Sequence, residues 1–251
     1  LALDANTTGG QNVAIGMNSL GANIDASSNV AVGHDSLINN TSGIQNVAVG
    51  RASLAANTTA DNNTALGYAA LLANTTGTGN LAVGSETLDA NTTASFNTAV
   101  GSLALTSNST GNNNTALGRR ALQENTTAAN NTAVGMEALK LNTTGTSNVA
   151  IGANTLDANT TGSNITAIGR GALGSNTTAS SNTAAGYFAL AANTTGTNNV
   201  AVGNNVLIAA TTGSQNTGLG SFSLNNCTTA SNNTAVGCNA LEETTTGASN
   251  T

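Results

Sequence analysis

Apolar and polar positions along this chain follow a pattern that restarts at every seventeenth position. The stretch from Asn131 to Ser147 shows one period: a polar asparagine, then Thr-Ala-Val, a glycine, two variable positions, Ala-Leu, two variable positions, and Asn-Thr-Thr-Gly with two further polar residues. The glycine falls at Gly16, Gly33, Gly50 and onward through Gly237, fourteen times without an insertion. A unit this short cannot bury a core of its own, so the pattern predicts one solenoid coil per repeat, stabilised by stacking on its neighbours.

Within a repeat, two short segments read as strands: Asn131 to Val134, and the residues around Ala138-Leu139. Gly135 and the run Asn142-Thr143-Thr144-Gly145 separate them as turns. The β-branched residues and recurrent glycine and asparagine weigh against helix. Because residues two apart in a strand share a face, the aliphatic residue before each glycine and the Val or Thr two positions earlier are assigned to one side. Together with the leucine present in every coil they form the expected apolar spine: Leu20, Leu37, Leu54, Leu71, Leu88, Leu105, Leu122 and Leu139, with Val32, Val49, Val100 and Val134. The alanine between them is then assigned to the opposite side. A column restricted to the smallest side chains reads as a surface closely approached by a second copy of the chain, making Ala65, Ala82, Ala99, Ala116, Ala133 and Ala150 the candidate oligomer interface. A thin core between tightly stacked sheets is the competing explanation for the same alanines.

The turn asparagines, among them Asn6, Asn40, Asn57, Asn74, Asn91, Asn125, Asn142, Asn159, Asn176 and Asn193, occupy one column and are followed by paired hydroxyl residues. Amides stacked at the spacing of neighbouring strands hydrogen-bond above and below, so this column reads as a structural ladder. Ala210, Cys227 and Thr244 interrupt it. The same stretches match the Asn-x-Ser/Thr glycosylation pattern, which the ladder chemistry explains without full occupancy. A regular threonine array is also a candidate water-organising surface, with Thr75, Thr92 and Thr126 as the residues to test for ice binding.

Composition sharpens this picture. Only 6% of the 251 residues are charged and 2% aromatic, with no proline or tryptophan. Strict apolar columns nevertheless argue against disorder. The net charge is −6, and the basic residues are only Arg51, Arg119, Arg120, Lys140 and Arg170, too few for a stripe that tracks phosphates; nucleic acid is not an expected partner. No apolar run reaches the length of roughly 18 residues that a membrane span needs, so membrane insertion by this segment is not expected. The single histidine, His34, stands in the variable column after the glycine with Met17, Arg51, Tyr68, Ser85, Arg119 and Tyr187. The acids scatter over several columns. No convergent catalytic set, metal-ligand motif or cofactor motif is visible, and the expectation is a non-enzyme without cofactors, metals or a discrete pocket. Cys227 and Cys238 stand in different columns of successive coils, where spacing alone leaves bridging open. The chain begins and ends within a repeat and shows no capping repeat, so 1–251 is expected to be a single solenoid domain excerpted from a longer fibre.

Asn12 to Gly16 (Asn-Val-Ala-Ile-Gly) and Asn46 to Gly50 (Asn-Val-Ala-Val-Gly) resemble the head repeats of trimeric autotransporter adhesins. The longer Asn-Thr-Ala-Val-Gly…Ala-Leu…Asn-Thr-Thr-Gly form also resembles repeat segments of phage tail fibres. The resemblance covers nearly the whole chain, although the period from Gly33 to Gly50 is slightly longer than that of the adhesin heads. It implies a left-handed parallel β-roll, three chains side by side, and a place on a cell or virion surface. The expectation is thus an all-β, parallel β-solenoid of about fourteen coils assembled as a homotrimer. Its expected role is that of an extracellular fibre or adhesin segment contacting a cell-surface or host ligand, with an ice-binding solenoid or a tail-fibre shaft as alternatives.

Overall fold

The computed structural model describes all 251 residues and contains no helix. It is a parallel β-solenoid with a 17-residue repeat, divided into two compact units, Leu1–Thr127 and Ala128–Thr251. The first unit carries β1 (Val13–Ile15), β2 (Val30–Val32), β3 (Val47–Val49), β4 (Thr64–Leu66), β5 (Leu81–Val83), β6 (Thr98–Val100) and β7 (Thr115–Leu117). The second carries β8 (Thr132–Val134), β9 (Val149–Ile151), β10 (Thr166–Ile168), β11 (Thr183–Ala185), β12 (Val200–Val202), β13 (Thr217–Leu219) and β14 (Thr234–Val236). Within each unit consecutive strands pair in parallel, each residue opposite its equivalent in the next coil, such as Val47 with Thr64 in the first and Thr166 with Thr183 in the second.

Only one of the two expected strands forms. The segment around Ala138-Leu139 is a turn, and the reason lies in the leucine backbone. Leu139 has a φ of 51°, Leu71 of 52° and Leu105 of 52°, far from the extended region a strand requires. The residue two positions before each of these leucines is left-handed as well, for example Ala69 at 53° and Glu137 at 58°. A left-handed conformation costs a non-glycine residue about 1–2 kcal/mol. Burial of the leucine side chain, worth about 1.5–3 kcal/mol, offsets that cost and swings the side chain into the coil. The turn is closed by short-range bonds, as where Asn74 N–H donates to Leu71 O at 3.2 Å.

Hydrogen bonding between coils extends well beyond the strands. Leu71 N–H donates to Thr87 O at 3.0 Å, Ala73 N–H to Asp89 O at 3.0 Å and Thr75 N–H to Thr92 O at 2.9 Å. Nearly the whole circumference is therefore tied to its neighbours. This explains how a chain with so few large side chains holds a defined shape.

The core is narrow. Leu20, Leu37, Leu54, Leu71, Leu88, Leu105, Leu122 and Leu139 are all 0% exposed, and so are the strand alanines Ala31, Ala48, Ala65, Ala82, Ala99, Ala116, Ala133 and Ala150. Much of the remaining interior is asparagine, together with the small residue before each leucine, such as Ala70, Ala104 or Ser53, and turn alanines such as Ala60 and Ala94.

Candidate interaction surface

The strand faces are the reverse of the sequence assignment. Alanine points into the coil, while the residues on either side of it point out. Val32, Val49, Val100 and Val134 are half-buried on the outer face and do not belong to the spine; only its leucine column is interior. Conversely, Ala65, Ala82, Ala99, Ala116, Ala133 and Ala150 lie inside their own chain and are not available as an oligomer interface. The physical reason is thickness. Strand, leucine turn and two asparagine columns converge on one thin interior, and only a methyl group fits beneath the strand.

The outer strand face consequently carries one largely aliphatic column and one column that mixes aliphatic residues with threonine. In the first unit it presents Val30, Val47, Thr64, Leu81, Thr98 and Thr115 in one column and Val32, Val49, Leu66, Val83, Val100 and Leu117 in the other. Leu66 and Leu117 are each 47% exposed. The second unit repeats the arrangement, with Ile151, Ile168, Val202 and Leu219 exposed. Along the column through Leu66, Val83, Val100 and Leu117 the aliphatic side chains are contiguous rather than scattered singly.

The turn asparagines form the expected ladder. Asn57 Nδ2 donates to Asn40 Oδ1 at 2.8 Å and to Ala60 O at 3.0 Å, and Asn91 repeats this toward Asn74 Oδ1 at 2.8 Å. A second ladder was not recognised from the sequence. The asparagine immediately before each strand from β2 to β9 and from β11 to β14 is also buried, while Ile165 takes its place before β10. Asn46 N–H donates to Asn29 Oδ1 at 2.9 Å, while Asn46 Nδ2 donates to Ala60 O at 2.8 Å. Its signal was available, since this asparagine recurs with the same period as the turn asparagine. With the exception of Asn193 Oδ1, both columns satisfy the rule that buried polar groups are hydrogen-bonded.

The paired threonines divide by role. Thr75 and Thr92 are half-buried and spend their hydroxyls on the next coil, Thr75 Oγ1 donating to Thr92 O at 3.0 Å and Thr92 Oγ1 to Ser109 O at 3.2 Å. Thr126 stands in the same column and is likewise half-buried. The threonine that follows each of them, Thr76, Thr93 or Thr127, is the exposed one.

Residues after the glycine lie along a surface edge. Met17, Arg51, Tyr68, Ser85, Arg119 and Tyr187 are exposed, whereas His34 is half-buried. His34 Nδ1 lies 2.8 Å from an Asp35 carboxylate oxygen. Cys227 is buried in the turn-asparagine column and Cys238 is exposed; both are free thiols. Burial pushes the Cys227 thiol above its usual range. Asp157 is raised from 3.8, chiefly by burial, against opposing hydrogen bonds from its own backbone and from Asn154.

No pocket opens on the surface, and no three His, Cys, Asp or Glu side chains come together as a metal site would need. The chemistry on offer is stacking, apolar contact and hydrogen bonding over repeated shallow surface. No protein-family model, curated protein or solved structure matches the chain.

Proposed function

We propose that the chain is a non-catalytic segment of an extracellular fibre or adhesin, on a cell or virion surface, that associates with copies of itself through the outer face of its strands. The observation that carries this reading is the continuous apolar column running through Leu66, Val83, Val100 and Leu117 on a unit whose own core is already complete. Such a face gains by being covered, and a regular strand spacing lets identical copies match coil for coil. The resemblance of Asn12–Gly16 to adhesin head repeats supports three chains as the stoichiometry. The fibre then presents its remaining edges to a host or cell-surface ligand, each contact weak and repeated.

Sedimentation velocity tests the assembly. The wild-type chain is expected to sediment as a trimer, and Val100→Lys/Leu117→Lys as a smaller species with unchanged β circular dichroism. A wild-type monomer at all concentrations would refute the proposal.

The exposed threonine column favours a second reading, ice recognition. Thr59, Thr76, Thr93, Thr110 and Thr127 lie exposed in successive coils of the first unit, at a spacing of about 4.8 Å. Thermal hysteresis in the wild type, abolished by replacing Thr76, Thr93 and Thr110 with lysine, would support it over the fibre reading. Replacing Thr75 and Thr92 tests the ladder instead.

A further inference from the structure

Both tyrosines of this chain stand one coil after an arginine in the same column: Arg51 precedes Tyr68, and Arg170 precedes Tyr187. In each case the guanidinium carbon lies over the ring, at 5.9 Å from the Tyr68 centroid and 6.0 Å from that of Tyr187. One pair belongs to each compact unit. The second is elaborated: Phe188 meets Tyr187 edge-on, with centroids 4.5 Å apart and planes at 81°, and Arg170 lies 5.9 Å from the Phe188 centroid as well. Residue 171, one coil before Phe188, is glycine, and a Cβ there would strike the Phe188 ring. Space has been left for that ring.

From these pairs we infer a ligand site: Arg51–Tyr68 and Arg170–Tyr187–Phe188 are two stacking platforms for carboxylated sugar rings of an acidic polysaccharide. The tyrosines are 48% and 46% exposed, and both arginines are exposed. Neither guanidinium pairs with a carboxylate, although acidic side chains outnumber basic ones eleven to five. Lys140, by contrast, is spent on Glu137 at 3.6 Å. Each platform therefore offers an aromatic face, which suits the C–H face of a pyranose. Beside it lies a planar fork of N–H donors, which suits a carboxylate in two-point contact. In the coil after each tyrosine the equivalent position holds a small polar residue, Ser85 or Asn204, so the ring face turned from the arginine stays uncrowded. The surface is flat rather than concave, which fits a polymer lying across coils better than a small molecule enclosed in a pocket. Single-stranded nucleic acid also stacks on aromatics, but it needs a basic groove that tracks its backbone, and outside the two platforms the chain has only Arg119, Arg120 and Lys140.

This goes beyond the fibre proposal, because a self-associating fibre without these platforms would still assemble. Biolayer binding of the full chain to immobilised polygalacturonate, with dextran and oligo(dT) as comparators, tests it alongside sedimentation. The expected result is saturable binding to polygalacturonate, weaker binding to dextran, and none to oligo(dT). Arg51→Gln/Arg170→Gln and Tyr68→Ala/Tyr187→Ala should each weaken polygalacturonate binding by about tenfold or more, the loss expected of a charged or aromatic anchor. Tyr68→Phe/Tyr187→Phe should retain it, since the ring face is kept. Lys140→Gln removes one positive charge outside the platforms and should leave binding unchanged. Absence of wild-type binding, equal loss with Lys140→Gln, or tighter binding to oligo(dT) would each overturn the inference. The sedimentation profile stays the same in all of these outcomes unless the fibre proposal fails separately.

Discussion

The amide oxygen of Asn193 is buried without a hydrogen-bond donor, and the residue one coil later, which should supply that donor, is Ala210. On its other side Asn193 is normal: its Nδ2 donates to Asn176 Oδ1 at 3.1 Å and to Gly196 O at 3.0 Å. The ladder thus stops at a single missing amide, and Cys227 in the next coil does not restart it; its thiol lies 3.9 Å from Ala230 O.

Repairing the ladder should stabilise the second unit. Ala210→Asn/Cys227→Asn would return a donor to Asn193 and link both new amides. At a net 0.5–1.5 kcal/mol or so per hydrogen bond, the gain is expected to be about 1–3 kcal/mol. The urea midpoint should rise accordingly. Ala210→Asn alone should yield less, because its own oxygen then faces Cys227. An unchanged or lowered midpoint in the double variant would show that the interior has no room for the amides.

Ala116 and Leu117 are neighbours in one strand with opposite roles. Ala116 is fully buried, so Ala116→Gln should lower the unfolding free energy by at least about 1–3 kcal/mol through overpacking and an unpaired amide. Leu117→Gln, on the outer face, should change the stability of the isolated chain by only about 0.5 kcal/mol. Chemical denaturation at low protein concentration separates the two. Comparable losses would mean that both side chains are interior.

Gly101 tests the coil-to-coil approach. Its φ is 128°, and a Cβ there would lie 2.7 Å from the carbonyl oxygen of Gly118 and 2.6 Å from its carbon. Both the backbone conformation and the contact exclude a side chain. Gly101→Ala should destabilise by at least about 1–3 kcal/mol. A midpoint within experimental error of wild type would contradict this.

Asp157 supplies a pH signature. Burial raises its pKa above 3.8, so the folded chain holds this proton more tightly than the unfolded chain. The associated stabilisation is fully present below the unfolded value and is lost as pH rises through the folded value. Asp157→Asn removes that loss. The variant should therefore unfold at a higher temperature than wild type at pH 7, with the difference shrinking toward zero below pH 3.8. A variant less stable at neutral pH would show that the carboxylate is stabilised by its neighbours instead.

The period, the absence of helix, the leucine column and the turn-asparagine ladder were all legible in the sequence, because each is a matter of recurrence and side-chain chemistry. A glycine returning at every seventeenth position permits little but stacked coils. Which strand face is interior was not legible. Alternation separates alanine from Val and Thr, yet which set turns inward depends on the distance across the coil. That distance is set by turns elsewhere in the repeat, including left-handed leucines such as Leu71 that no propensity favours. The small interior selects alanine, and the larger aliphatics are left outside. The pairing of Arg170 with Tyr187 and Phe188 likewise needed the tertiary structure. Sequence sets Tyr187 a full repeat beyond the arginine and Phe188 one residue further, and only the stacking of coils turns that separation into ring contact.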